Sequence, residues 1–286
     1  MQDFDKLWNY NDPAATEIKF REALLNSMAD QDLSYHLQLL TQIARTYSLR
    51  AMFTEAHNLL NDIEKQLPEQ PAPEHVRYNL ERGRTFNSSG KKVESKEYFE
   101  KAKQLSSALK DDFYTIDAIH MLAIVSTADK AIKLNEEAII LSEETKDENA
   151  KRWLGSLYNN LGWSYFDKGE YEKALSIFLR ALKWREDRKS AGEIFLAKWC
   201  VGRTLRALAR FDDAIKIQLA LFEEAITVGV PDGYVHEELG ELFLLKNDKL
   251  KSSFHFEKAY ELLSQDKFLQ QFEKERLERM RQLKAQ

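Results

Sequence analysis

The chain has 286 residues, of which 31% are charged, with a net charge of −5, 10 glycines, 5 prolines and a single cysteine. Few glycines and prolines favour helix over sheet, the mild acidity gives no nucleic-acid footprint, and one cysteine excludes an internal disulfide or a cysteine zinc cage. Met1–Tyr10 lacks the apolar core of a secretory signal, and the longest uncharged run, Trp153–Phe166, is too short and too polar to span a bilayer, so a cytoplasmic protein is expected.

In chain order, Asp12-Pro13 reads as a helix start, with Asp as N-cap and Pro at the first helical position, and predicts a capping helix over 12–30. A repeated pattern follows. Ala44, Gly83, Gly162, Gly202 and Gly240 are each followed twelve residues later by Ala56, Ser95, Ala174, Ala214 and Ser252, and seven residues further by Ile63, Ala102, Ala181, Leu221 and Ala259. Small residues at helical spacing let two helix axes approach, and the large residues between them fill the gap. The spacing predicts helix pairs at about 33–66, 74–109, 112–146, 152–188, 192–228 and 232–265, with a charged terminal helix at 266–286 whose apolar contacts are Phe268, Phe272, Leu277 and Met280. Gly90, Gly169 and Asn247 fall in one register between paired helices, where a left-handed residue is needed. Pro68, Pro71 and Pro73 mark a longer loop between the first two pairs, and Gly229–Gly233 a turn before the last.

The third pair departs from the pattern. With Leu122-Ala123 as its packing site, Ala131 follows after eight residues, not twelve, which predicts a shortened first helix or a tight turn, restarted by a capping box at Ser126–Asp129.

The clearest unit, Ser156–Leu182, places Tyr158, Leu161, Gly162 and Tyr165 on one helix face and Ala174, Phe178 and Ala181 on the next. It resembles the tetratricopeptide repeat. Stretches such as Asp117–Ala123, Gly155–Trp163, Ala197–Val201 and Pro231–Val235 are similar to uncharacterised bacterial proteins of this family. Taking Ala44, Gly83, Ala123, Gly162, Gly202 and Gly240 as reference points, the repeats lie 38 to 40 residues apart, longer than the family's usual ~34. The resemblance implies an all-α fold, an α-α superhelix of about six helix pairs with capping helices at both ends, forming one domain.

It also implies a concave wall built by the first helix of each pair. Mapped onto this chain, that wall collects Arg45, Arg77, Arg84, Asn87, His120, Asn159, Trp163, Trp199, Arg203 and Arg206 as a candidate peptide-binding groove. Arginine forks suit carboxylates and phosphates, and tryptophans suit hot-spot anchoring. The same arginines could instead pair with acidic residues one unit away, and the tryptophans could be core. Some family members clamp a C-terminal carboxylate with lysines and asparagines. Asn160 matches one such asparagine, but His120, Ile124, Leu196 and Cys200 stand where the other residues are required.

No catalytic arrangement is expected. The six histidines are scattered, there is no phosphate loop or nucleophile elbow, and Cys200 reads as a buried inert thiol. The expected function is a non-enzymatic protein- or peptide-binding scaffold without metal or cofactor. The partner would be a protein or extended peptide with acidic groups, not nucleic acid or membrane, and end units open to stacking would allow a homo-oligomer. The alternative is a peptide-responsive signalling regulator whose superhelix changes curvature, although the region before Leu33 is too short for an effector domain.

Overall fold

Several helices in this chain start at aspartates that cap them, and eight are followed by a residue in the left-handed region. Asp12, Asp32, Asp111 and Asp232 each accept a backbone N–H from the first turn of the helix they precede, which satisfies one of the four donors a helix start leaves free. The computed structural model describes residues 3–30, 32–189 and 191–284. All regular structure among them is helical.

The chain divides into two compact units, Met1–Leu157 and Tyr158–Gln286. The first holds a short 3-10 helix (Asp3–Leu7), α1 (Pro13–Asp30), and the pairs α2 (Leu33–Leu49) with α3 (Phe53–Glu64), α4 (Pro73–Ser88) with α5 (Lys92–Ala108), and α6 (Asp112–Ile124) with α7 (Ala128–Glu144), then the single turn α8 (Glu148–Lys151). The second is built from α9 (Leu154–Asp167), which begins just before the division, with α10 (Tyr171–Arg188), α11 (Ala191–Ala207) with α12 (Phe211–Thr227), and α13 (Gly233–Leu245) with α14 (Lys249–Leu263). It closes with α15 (Lys267–Phe272) and α16 (Lys274–Leu283). The expected terminal helix is therefore broken at Glu273, whose φ of −127° and ψ of 40° leave the helical region. Leu269 and Met280 are its buried anchors, while Phe268 and Phe272 are exposed; residues 285–286 lie outside the described residues.

One contact holds the pairs together. The packing residue of each first helix faces a side chain sixteen positions later: Gly83 meets Phe99, Gly162 meets Phe178, Gly240 meets Phe256 and Gly202 meets Gln218. A Cβ on Gly83 would stand 2.5 Å from the Phe99 ring, closer than any side chain can yield without displacing it. Phe99, Phe178 and Phe256 are fully buried, each worth about 1.5–3 kcal/mol of transfer energy.

The third pair is corrected by this register. Every first helix ends five residues after its packing position, and a three-residue turn follows in all six pairs. With α6 ending at Ile124, the packing position is Ile119, not Ala123, and Ala131 then follows at the usual twelve. The size relation is inverted: buried Ile119 shares its register with buried Asn135, where every other pair sets glycine or alanine against a larger side chain, phenylalanine in three of them. Nothing is deleted. The extra residues lie after α7, where α8 is inserted. The expected capping box is absent as well, since Thr127 is the N-cap of α7 and makes no side-chain cap bond.

Candidate functional site

Two positions on each first helix flank the packing residue, one directly after it and one two residues before. Arg45, Arg84 and Arg203 occupy the first; Glu81, Asp117 and Glu238 occupy the second, one pair further along. Arg45 Nη1 donates to Glu81 at 3.2 Å, Arg84 Nη2 to Asp117, and Arg203 Nη1 to Glu238 at 2.6 Å. Arg206, one helical turn from Arg203, sends Nε and Nη2 to the same Glu238 at 2.7 and 2.9 Å. Arg77 forks onto Asp5 at 2.9 and 2.5 Å. The acids are buried, Glu81 to 3% and Glu238 to 1% exposure, and a buried charge left unpaired would cost several kcal/mol. The five arginines expected to give a basic groove are thus each bound to a carboxylate of a neighbouring element.

In the first unit this arrangement borders a cleft of about 690 Å³ that contains Arg45, Arg77 and Arg84. The 3-10 helix supplies Asp5, and the stretch after it supplies the stacked rings of Trp8 and Tyr10, centroids 4.7 Å apart, with the Arg45 guanidinium over both. Arg77, 2% exposed, lies between the rings of Phe4 and Tyr114 at 5.0 Å from each. Phe113 and Trp153 form the opposite wall, 5.9 Å apart. His120 does not line the cleft but packs its ring on Trp153 at 5.2 Å, and burial holds its pKa below the usual value.

The second unit gathers Trp163, Trp199, Arg203 and Arg206. Trp163 and Trp199 lie 6.1 Å apart, and Tyr234 continues the series 6.2 Å from Trp199. Arg203 sits over the rings of Trp163, Phe166 and Trp199 at 5.5–5.9 Å. Glu237 and Glu241 of α13 bind Arg276 and Arg279 of α16. A cleft of about 410 Å³ opens beside Trp199 and Tyr234. Asn87 and Asn159 are half-buried and bond to neither group. Cys200 is buried, and burial pushes its thiol up to about 12, far from a nucleophile's range.

The residues missed were the counter-charges Asp5, Asp117 and Glu238, and the aromatic pair Trp8 and Tyr10; Glu81, three residues before Arg84, accepts from its Nη1 at 2.7 Å as a local pair. The acids carried a readable signal, a carboxylate two residues before the packing position; the 3-10 helix and the stretch after it carried none.

Residues 155–188, covering α9 and α10, match the tetratricopeptide repeat. One helix pair of this chain therefore carries the signature of that repeat. Solved structures agree on the fold of this repeat protein at low identity. The apo form of RapI matches with a TM-score of 0.76 and 15% identity over 92% of this chain and 75% of its own. A signal-transduction ATPase with a tetratricopeptide repeat sensor from Pyrococcus horikoshii gives 0.72 and 15% over 89% of this chain and 43% of its own. A Rap protein complexed with competence and sporulation factor gives 0.56 and 13% over 92% and 75%. No curated protein matches. Among the described residues no helix is long and apolar enough to cross a membrane.

Proposed function

We propose that this repeat protein is a non-enzymatic scaffold that holds a protein segment or extended peptide on the first-helix faces of its pairs. The observation that carries this reading is the lining of those faces. Aromatic rings and guanidinium groups alternate along them, exposing flat apolar surface beside hydrogen-bond donors, which is the composition of interface hot spots. Arg45, Arg77, Arg84, Trp163, Trp199, Arg203 and Arg206 are the contact residues, and the paired arginines act as stacked, pre-positioned walls. A second reading, a peptide-responsive regulator, is favoured by the likeness to the Rap protein solved with competence and sporulation factor.

Selection from a displayed random-peptide library against the full chain tests this. The expected result is enrichment of a peptide family whose capture falls about tenfold or more with Trp199→Ala or Trp8→Ala. Enrichment unaffected by either substitution, or none at all, would overturn it. A change in radius of gyration on adding a selected peptide, measured by small-angle scattering, would select the regulator.

A further inference from the structure

Resting on that reading, we infer that the cleft of the first unit is an oxyanion site, taking one carboxylate or phosphate carried beside an aromatic or apolar group. The cleft offers donors and has committed its acceptors. Both Asp5 oxygens hold Arg77, Glu81 accepts from Arg45, Arg84 and Gln42, and Asp117 accepts from Arg84. Against these, Arg45 Nε, Arg77 Nε and the indole Nε1 of Trp153 are buried without an acceptor, and all three side chains line this cleft. Buried donors in native structures are nearly always satisfied, so three around one cleft point to a missing acceptor.

Charge agrees. Five cations, Lys6, Arg45, Arg77, Arg84 and Arg152, line the cleft with only three carboxylates. Lys6 and Arg152 are exposed on its lining, and neither has an ion-pair partner among the described residues. A ligand entering there meets uncompensated positive charge first and buried N–H groups beyond it. The Trp8–Tyr10 stack and the Phe113–Trp153 wall give the ligand's uncharged part apolar cover. At about 690 Å³ the cleft is the size of a small-ligand pocket and holds the side chains of two or three residues. Arginine favours oxyanions generally, so a peptide carboxylate and a phosphate ester share this chemistry.

The test is calorimetry on the full chain with three probes: acetyl-Leu-Phe with a free carboxylate, the same dipeptide as its amide, and phenyl phosphate. The acid or the phosphate should bind at least about tenfold more tightly than the amide. Trp153→Phe, which keeps a ring and removes only the indole N–H, should weaken it about tenfold. Arg152→Gln should weaken it severalfold, while Arg210→Gln, at a distant surface pair, should leave it unchanged. Tighter phenyl phosphate would assign the oxyanion to phosphate, and tighter acid to carboxylate. Equal binding of acid and amide, no saturation by either anion at millimolar concentration, or wild-type binding by both Trp153→Phe and Arg152→Gln overturns the inference. If the displayed-peptide selection still succeeds then, only the oxyanion site falls; if the small anions bind while no peptide is selected, the scaffold reading falls instead.

Discussion

The two units use the same register positions to make different faces. In the first, Asp5, Glu81 and Asp117 each serve arginines of the cleft, and two cations on its lining, Lys6 and Arg152, have no ion-pair partner among the described residues. In the second, Glu238 takes both Arg203 and Arg206, while Glu237 and Glu241 take Arg276 and Arg279 from the terminal helix. The rings there form a series, Trp163, Trp199 and Tyr234, over guanidinium groups already spoken for. A paired buried arginine works as a wall; an unpaired rim cation works as an attractant. The difference separates residues that hold the repeat stack, the first-helix arginines, from the cations free to hold something else, Lys6 of the 3-10 helix and Arg152 at the end of α8.

The most forceful way to break this comparison is to remove a counter-charge from each unit. Among the described residues Glu238 is the only carboxylate bonded to Arg203 and Arg206, and it is 1% exposed. Glu238→Ala should cost about 3–5 kcal/mol, because two guanidinium groups lose their acceptor at once. Glu81→Ala should cost less, since Arg84 keeps Asp117. Hydrogen exchange resolved by helix checks this, with α11 and α13 losing more protection than α2 and α4 do in the other variant. Equal losses would mean that the two ladders are equivalent and that the distinction drawn between the faces is wrong.

Acid sharpens it next. His236 on α13 and His255 on α14 are 5% exposed each and set Nδ1 against Nδ1 at 3.0 Å, so one must donate and the other accept. Phe222, Phe243 and Phe254 surround them. Burial, then the neighbouring His236, lowers His255 to about 4, and burial, then Lys258, lowers His236. Both folded values lie below 6.5, so the unfolded chain binds more protons between about pH 6.5 and 4. The stability contribution is complete above about 6.5 and declines as pH falls through that window, by on the order of 2–3 kcal/mol. Exchange measured at falling pH should show α13 and α14 losing protection ahead of α4 and α5. His255→Phe should flatten the profile, and an unchanged profile would remove the pair as its cause.

What was legible in the chain follows from what repeats. A small residue twelve residues before another is a packing constraint, and the helix pairs at five of its occurrences, four with glycine and one with Ala44, keep that spacing. The third pair escaped because it solves the same constraint with the sizes exchanged: Ile119 stands at the packing position, and a search for small residues slides one helical turn to Ala123. The site was half legible. First-helix arginines were found by position, but their free or paired state depends on carboxylates 32 to 72 residues away, and no local pattern ranks one such partner above another. The contribution of Trp8 and Tyr10 was invisible because they sit in the irregular stretch between the 3-10 helix and α1, which has no periodicity to read.

The smallest effect tests the turns on which both units depend equally. Gly90, Gly169 and Asn247 have φ of 82°, 75° and 59°, as their register predicts, and Ala51 and Ala209 occupy the same position at 58° and 57°. An alanine there clashes its Cβ with the following carbonyl, a strain of ~1 kcal/mol that glycine avoids. Glycine also gives the unfolded chain more freedom to lose, so the two effects oppose. Strain should win narrowly, because the φ is held by backbone bonds that do not change: Arg210 N–H reaches Leu205 O at 2.9 Å across the turn, as Glu170 N–H reaches Tyr165 O at 2.9 Å beside Gly169. Ala209→Gly in the second unit and Ala51→Gly in the first should each raise the urea midpoint by the equivalent of up to about 1 kcal/mol. Because neither alanine bears on the charged faces, the two gains should match; a gain in one unit alone would show that the turns, and not only the ion pairs, distinguish the units.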